Sequence, residues 1–270
     1  MDYLFDPDNW RWLTTGNNLT FLLKGFAVNL EIAAIAMVLS LVVGLVLALG
    51  RVSKSPAIKA PVGLWIDVWR NVPLILLILY MFLALPEGAK DGWEAIIPDF
   101  FPEALRSGTV LAALLGLVLY NSAVIAEIFR AGIQSLERGQ GEAAAALGMT
   151  RWQAMRLVVL PQGLRRMVPA TVSQLITLNK DTTLVSIIAI QEVMRHARIV
   201  TSFGFFGGVQ APVLQVFIVV GLMFIVVNLL LSRLSRRLEI RERRRTGTTV
   251  TPVTGLEDQV AAEAQAEAAA

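Results

Sequence analysis

The sequence contains no cysteine and only one histidine among its 270 residues. Without cysteine there can be no disulfides and no thiolate chemistry, and a metal site would have to combine carboxylates with His196. A lone histidine is more often a structural or surface residue than a ligand, so no metal site is predicted. Charged residues make up only 17% of the chain and apolar residues 55%. This composition lies outside the ordinary soluble class and indicates a membrane protein.

Five apolar stretches are about 20 residues long or more, which is the length that a helix needs to cross the hydrocarbon core. They cover residues 22–49, 64–85, 108–129, 167–190 and 212–231. The polar sequence "LNKDTT" interrupts the fourth stretch. The expected fold is therefore all-α and integral to the membrane, with five transmembrane helices.

Lys and Arg are unequally divided between the two sides of these spans. Sixteen lie in the loops after the first and third spans and in the C-terminal tail, whereas five lie in the remaining non-membrane segments. Because cytoplasmic loops carry an excess of positive charge, this predicts the N-terminus outside and the C-terminus in the cytoplasm. The N-terminus also lacks the basic start of a cleaved signal peptide, so the first span is expected to remain in the protein.

Three regions are predicted along the chain. Residues 1–20 form an extracytoplasmic segment, in which Trp10 and Trp12 are typical of an interfacial belt or of a short helix on the membrane, with Asp8 as a candidate N-cap. Residues 21–240 form the transmembrane domain. Residues 241–270 form a cytoplasmic tail, whose acidic, alanine-rich end is expected to be disordered or a fraying helix.

A polar, alanine-rich elbow at about residues 138–162 stands between the third and fourth spans. Glu142 is expected in the first turn of a short helix, where a carboxylate suits the positive end of the helix dipole, and Gly148 is expected to end that helix in a left-handed conformation. Thr150 and Gln153 have the spacing of a capping box for a second helix. Pro161 is expected to limit that helix.

Local sequence alone leaves two interpretations of this elbow open. Its alanine face would let another protein surface approach closely, as in a docking element. An amphipathic loop helix resting on lipid headgroups explains the same pattern equally well.

At these residues the chain resembles the EAA loop of the membrane subunits of ABC importers. The matching positions of the loop are Glu142, Ala143, Ala144, Gly148, Leu160 and Pro161. Four segments, "WRNVPLILLILY" (69–80), "AEIFRAGIQSLERGQGEAAAALG" (126–148), "LPQGLRR" (160–166) and "NKDTTLVSIIAIQE" (179–192), are similar in order to the polar amino-acid permeases of the histidine, glutamine, glutamate and arginine importers.

This resemblance implies the type I ABC importer permease fold in a bacterial cell membrane. The implied partners are a second copy or a homologous permease subunit, a dimer of cytoplasmic ATPase subunits that contact the elbows, and an extracytoplasmic amino-acid-binding protein. The chain has no Gly-x-x-x-x-Gly-Lys-Ser/Thr sequence, so ATP and magnesium are expected in the partner ATPase and this chain is not expected to be an enzyme. The cargo implied is a polar amino acid, with glutamate or glutamine ahead of arginine or histidine.

Polar residues at membrane depth are costly and tend to face a cavity or a partner. Glu127 in the third span, which shares a helix face with Tyr120, is therefore a candidate for the substrate path, and the resemblance places its segment near the translocation route. The alternative is an ion pair with Arg130, three residues further on.

A second polar group lies in the fourth span. Asn179, Lys180, Asp181 and Thr182 are expected in a locally unwound helix beside a cavity, or else as residues that only hold the bundle together. Arg70, just before Pro73, is a candidate ligand for a substrate carboxylate, although a snorkelling interfacial anchor explains it better.

The first span departs from the family pattern at its outer end. Relatives carry a small hydroxyl residue near Asn29 and no acid two positions later, whereas this chain has Glu31 there and Lys24 before it. These residues either shape substrate preference or face the outer water.

Two other classes of membrane protein fit the sequence less well. A channel or secondary transporter commonly shows internal repeats, and five spans do not divide into two equal halves. A membrane enzyme needs a convergent catalytic set, and none is visible.

Overall fold

The computed structural model describes residues 2–14, 16–99, 101–136, 138–203 and 211–246, and all regular structure in these ranges is helical. The α-helices are α1 (Asp2–Phe5), α2 (Asn18–Arg51), α3 (Pro56–Asn71), α4 (Leu74–Ala84), α5 (Glu87–Ile96), α6 (Glu103–Arg106), α7 (Gly108–Gln134), α8 (Arg138–Ala146), α9 (Arg151–Ala154), α10 (Leu160–Asp181), α11 (Val193–Phe203) and α12 (Val213–Thr246). Pro7–Leu13 and Thr182–Ile188 are 3₁₀ helices, and Met155–Val159 is a π-helical segment that joins α9 to α10. The predicted tail after residue 246 lies outside the described residues.

Three of the described helices are long and apolar enough to cross a membrane, namely α2, α7 and α12. They contain the first, third and fifth predicted spans, and each extends beyond the predicted stretch by a turn or more. Leu, Val, Ala and Ile dominate these helices, and α2 keeps Val38, Val42 and Val46 at least 60% exposed. Such an apolar outer face suits lipid rather than water.

The second predicted span, residues 64–85, is wrong as a single straight helix. It is divided between α3 and α4, which meet at an angle of 102° across Val72 and Pro73. Pro73 has no backbone N–H and disfavours helical backbone at the preceding residue, so Val72 is extended with φ −88° and ψ 131°. The pair forms either one broken span or a re-entrant turn.

The fourth predicted span, residues 167–190, also differs from expectation. The α-helix in this region begins earlier, at Leu160, and ends at Asp181, after which the chain tightens into the 3₁₀ helix and reaches Ala189 in a left-handed conformation with φ 63°. This region is absent from the described helices that pass the length and hydropathy test. Asn179, Lys180 and Asp181 at the helix end, with Arg165 and Arg166 near its start, lower its mean hydropathy, so five spans are not established by composition.

The buried apolar residues form two clusters. The larger one joins α2, α4 and α7 with the 3₁₀ helix after α10. The smaller one joins the N-terminal part of α2 to α11 and α12, and Trp12 inserts into it with only 1% of its surface exposed. The 3₁₀ helix that contains Trp12 is capped by Asp6, which accepts a hydrogen bond from the backbone N–H of Asp8, so the expected N-cap at Asp8 is wrong. The interfacial placement of this segment stays a prediction.

Candidate functional site

The first elbow helix, α8, ends in a Schellman motif. The backbone N–H of Met149 donates to the carbonyl of Ala144 at 3.1 Å, and the N–H of Gly148 donates to Ala145 at 2.9 Å. Gly148 has φ 75°, as the sequence pattern predicts for a C-terminal glycine. The helix begins at Arg138, so Glu142 lies in its second turn and not in the first, where it was expected.

The second elbow helix begins with the predicted capping box. The hydroxyl of Thr150 accepts from the backbone N–H of Gln153, and the side chain of Gln153 accepts from the N–H of Thr150 at 2.8 Å. The two elbow helices are thus separated by a sharp turn in which both ends are satisfied locally. Such a turn is stiff, because few backbone groups depend on water.

Pro161 does not end the second helix, which contradicts the expectation. The chain instead widens into the π-helical segment, in which the N–H of Leu160 donates to Met155, five residues earlier. The wider turn accommodates the ring of Pro161, and Pro161 falls in the first turn of α10, where its missing N–H is tolerated. The second elbow helix therefore runs without a break into α10.

The elbow presents most of its proposed coupling residues to the outside. Glu142, Ala143, Gly148 and Pro161 are exposed, Leu160 is half-buried, and Ala144 is buried against the protein. Three large apolar side chains project outward beside them, with exposures of 79% for Leu147, 66% for Trp152 and 62% for Leu157. An exposed set of this size is unusual on a free polar loop and fits a surface covered by a partner or by the membrane.

Glu127 is held by arginines from two helices. Nε of Arg130 donates a hydrogen bond to Oε2 of Glu127, and Nη2 of Arg130 lies 2.7 Å from the same oxygen. Nε of Arg51 lies 3.8 Å from Oε1 of Glu127. Arg51 also lies 3.8 Å from Asp67 of α3. The ion pair with Arg130 was one of the two sequence interpretations, whereas Arg51, at the end of α2, was missed because nothing in the sequence links it to α7.

Tyr120 lies two turns before Glu127 on α7 and is half-buried. Its neighbour Asn121 is fully buried and accepts a hydrogen bond of 2.7 Å from Gln174 of α10. This link between α7 and α10 was also missed by sequence reasoning.

A buried hydrogen-bonded cluster lies where α2 meets the end of α10. Asn29, which is 0% exposed, donates from Nδ2 to Thr182 Oγ1 and to Glu192 Oε2, each at 3.0 Å, and accepts from the backbone N–H of Val193 at 3.0 Å. Thr182 donates in turn to the carbonyl of Asn179 at 2.7 Å. We call Asn29, Thr182 and Glu192 the polar knot. The sequence drew attention to Asn29 and Thr182 separately but gave no sign of Glu192.

The remaining residues of the fourth-span polar group lie in different surroundings. Asn179 donates to Asn228 of α12 at 3.1 Å and lines a groove of about 340 Å³ whose other walls are apolar. Lys180 is exposed and Asp181 is half-buried at the helix end. The helix is therefore not unwound at Asn179 to Asp181, and the change to 3₁₀ geometry begins at Thr182.

The other predicted polar residues lie apart from these clusters. Arg70 is exposed in the last turn of α3, next to the bend. Lys24 is exposed, whereas Glu31 is partly buried and its Oε2 has no hydrogen-bond partner among the described residues.

Two titratable groups between the fourth and fifth predicted spans, Glu192 and His196, have shifted pKa values. Burial raises the pKa of Glu192, and the hydrogen bonds from Asn29 and from backbone N–H groups act in the opposite direction. Burial lowers the pKa of His196, which stacks on Phe21 with ring centroids 3.8 Å apart and contacts the Phe21 carbonyl through Nδ1 at 2.7 Å. In the part of the chain that the structure describes, no group of three His, Asp or Glu side chains could hold a metal.

Comparison with known proteins explains this combination of apolar helices and an exposed elbow. Residues 40–244 match the family of binding-protein-dependent transport system inner membrane components. The chain belongs to this family. The recognition of an ABC importer permease from the sequence is thereby confirmed, as are its assignments to amino-acid transport and to the membrane.

Individual permeases of this family are similar over most of their length. The probable glutamine ABC transporter permease protein GlnP of Bacillus subtilis is 36% identical over 83% of this chain and 95% of its own. The glutamate/aspartate import permease protein GltK of Escherichia coli O6:H1 is 32% identical over 84% of this chain and 97% of its own. A crystal structure of an amino acid ABC transporter with histidines superimposes with a TM-score of 0.67 at 29% identity, covering 83% of this chain and 94% of that one.

Proposed function

We propose that this permease is the transmembrane subunit of an ATP-driven importer that translocates a polar amino acid delivered by a substrate-binding protein. The single observation that carries the proposal is the elbow, with Gly148 in a left-handed turn, a closed capping box and an exposed face. Because the elbow is exposed, a partner can bind it, and because its turn is held by local hydrogen bonds, movement of the partner can be passed on to the membrane helices. The N-terminus lies outside and the C-terminus in the cytoplasm, with five spans in total.

The proposed ATPase contact uses Glu142, Ala143, Ala144 and Gly148, with Leu160 and Pro161 at the entry to α10. Closure of two ATPase subunits on ATP displaces the elbows of two permease subunits. The ATPases shift the inward- and outward-facing populations only as far as their affinities for the two states differ. ATP and magnesium are bound by the ATPase subunits and not by this chain.

Glutamate or glutamine is the proposed cargo ahead of arginine or histidine, since GlnP and GltK carry those names. The proposed substrate path includes Glu127, Tyr120 and Arg70, together with Asn179, Lys180, Asp181 and Thr182. Within it, Glu127 is occupied by two arginines, so we propose that it orients Arg51 and Arg130 rather than binding an amino group alone.

Transport by the reconstituted complex tests the proposal. The chain is assembled in proteoliposomes with its ATPase and binding protein, and uptake of labelled glutamine is measured against an excess of unlabelled glutamate, arginine, histidine or leucine. We expect ATP-dependent uptake that polar amino acids reduce and leucine leaves unchanged.

A matched pair of variants separates the elbow from the rest of the chain. Glu142→Lys reverses an exposed charge on the elbow and should abolish uptake, whereas Glu103→Lys reverses an exposed charge on α6 and should not. Folded complexes that hydrolyse ATP but import no amino acid under any condition would overturn the proposal.

A further inference from the structure

A cavity of about 400 Å³ lies between the end of α2 and the start of the second elbow helix. We call it the elbow pocket. Its walls include the apolar side chains of Leu49, Val52, Trp152 and Met155 and the cationic side chains of Lys54 and Arg151.

The apolar wall lies next to the end of a membrane-spanning helix. α2 passes the length and hydropathy test for a span and ends at Arg51, so Leu49 and Val52 lie within a turn of that end. The charge-free run of α2, residues 32–50, ends just before Arg51, so in a membrane this wall lies where acyl chains give way to headgroups. Trp152 is 66% exposed at the opposite wall, and tryptophan is enriched at the membrane interface.

The two cations beside this wall are unpaired within the described part of the chain. Lys54 and Arg151 are exposed, neither has an ion-pair partner there, and no acidic side chain lines the pocket. A phosphate group accepts charge-assisted hydrogen bonds from both residue types, and basic pockets on the cytoplasmic side of membrane helices bind anionic headgroups.

We propose that the elbow pocket binds an anionic phospholipid of the phosphatidylglycerol class. Its phosphate contacts Lys54 and Arg151, and the first part of an acyl chain covers Leu49, Val52 and Met155. Inorganic phosphate would leave this apolar wall uncovered, and a zwitterionic lipid brings its own cation beside the two basic side chains.

The bound lipid bridges two parts of the chain that are far apart in sequence. It touches the turn after α2 on one side and the start of the second elbow helix on the other. Lipid composition thereby affects the elbow itself. This inference rests on the membrane placement and on the elbow of the proposed function, and it does not depend on which amino acid is carried.

Fluorescence quenching by brominated lipids tests the proposal in the full chain, in nanodiscs with and without the ATPase subunits. The signal of Trp152 is obtained as the difference between the wild type and Trp152→Phe. We expect acyl-brominated phosphatidylglycerol to quench this signal roughly twofold more than acyl-brominated phosphatidylcholine at equal lipid content, because the cations enrich the anionic lipid locally.

Charge variants identify the residues responsible. The double variant Lys54→Gln with Arg151→Gln should lose the preference for phosphatidylglycerol. The exposed pair Lys59→Gln with Arg165→Gln removes the same charge outside the pocket and should retain it. Lys54→Arg with Arg151→Lys should also retain it, which separates loss of charge from misfolding.

Three outcomes overturn the proposal. The first is equal quenching by the two lipids in the wild type. The second is displacement of phosphatidylglycerol by millimolar inorganic phosphate, which would make the pocket a simple anion site. The third is shielding of Trp152 from both lipids once the ATPase binds, which would make the pocket a protein contact. Amino-acid uptake in phosphatidylcholine alone reports on the proposed function separately.

Discussion

Nε of Arg51, at the end of α2, lies 3.8 Å from Oε1 of Glu127 in α7, and this guanidinium also occupies the space above Gly63 of α3. The Arg51 side chain thus links three helices, α2, α3 and α7. A Cβ at position 63 would overlap Nη1 of Arg51. Gly63 is therefore required by a side chain from another helix and not by its own backbone conformation.

Gly63→Ala should displace Arg51 from Glu127 while the helices stay in place, because only the flexible end of the arginine must move. We expect a loss of about 1 kcal/mol, since the pairs are long and the side chains partly exposed. Thermal unfolding of the purified protein measures it. Gly88→Ala, where an added Cβ meets no atom within 4 Å, is the control: it makes the same helical Gly-to-Ala change and should not lower the stability. In an Arg51→Gln background the Gly63→Ala effect should nearly vanish, and full additivity would contradict the assignment.

Asn29→Ala should destabilise the protein by about 1–3 kcal/mol, because it leaves the Glu192 carboxylate and the Val193 N–H buried with fewer partners. Thermal unfolding again measures the change. Asn17→Ala is the matched control, since Asn17 is exposed and its side chain makes no capping hydrogen bond. An equal effect of the two substitutions would show that the polar knot contributes nothing.

Acidification should destabilise the protein through His196. Burial lowers its pKa, so the folded state binds fewer protons than the unfolded state. The stability that is present above the ordinary histidine pKa of 6.5 is therefore lost as the pH falls through the folded-state pKa. Melting temperatures between neutral pH and pH values below 6.5 measure this dependence. His196→Gln should weaken the dependence of the melting temperature on pH.

Glu192 opposes this trend, because burial raises its pKa above the ordinary glutamate value of 4.5. Its contribution to stability is present at low pH and is lost as the pH rises through the folded-state pKa. Glu192→Gln should therefore make the acid-side loss steeper than in the wild type. A shallower curve for this variant would contradict the assignment.

Replacing Gly148 with a bulky residue should uncouple transport from ATP hydrolysis and leave membrane insertion intact. A Cβ added at Gly148 meets no described atom of this chain within 4 Å, but the φ of 75° strains other residues there, so backbone strain must be separated from an obstruction of the partner. Uptake and ATP hydrolysis are measured together for Gly148→Phe. Gly148→Asn separates bulk from backbone strain, because asparagine tolerates the left-handed conformation better than other residues. Unchanged uptake in Gly148→Phe would rule out a close contact here.

Local patterns predicted the parts of the elbow that local physics decides. The Thr150 to Gln153 box and the left-handed Gly148 depend on residues within one turn of each other, so spacing was sufficient. The apolar runs likewise located α2, α7 and α12, because a helix of that length and hydropathy has few alternatives in a membrane.

The features that sequence reasoning missed depend on contacts between distant residues or on competing local effects. Pro73 breaks the second span although its flanks are apolar, whereas Pro161 is absorbed by a π-helical turn, and composition does not distinguish the two. Arg51 and Glu192 find their partners across 76 and 163 positions of sequence. A single sequence carries no signal for such distant pairs.

The continuity of the second elbow helix with α10 makes residues 151–181 a lever arm. At a rise of about 1.5 Å per residue, this rod is roughly 45 Å long, so a tilt of about 10° at the elbow end moves the far end by roughly 8 Å. That far end holds Asn179 and Thr182, which are bonded to α12 and α2. We therefore expect a tilt at the elbow end to reach these two hydrogen bonds as a larger displacement.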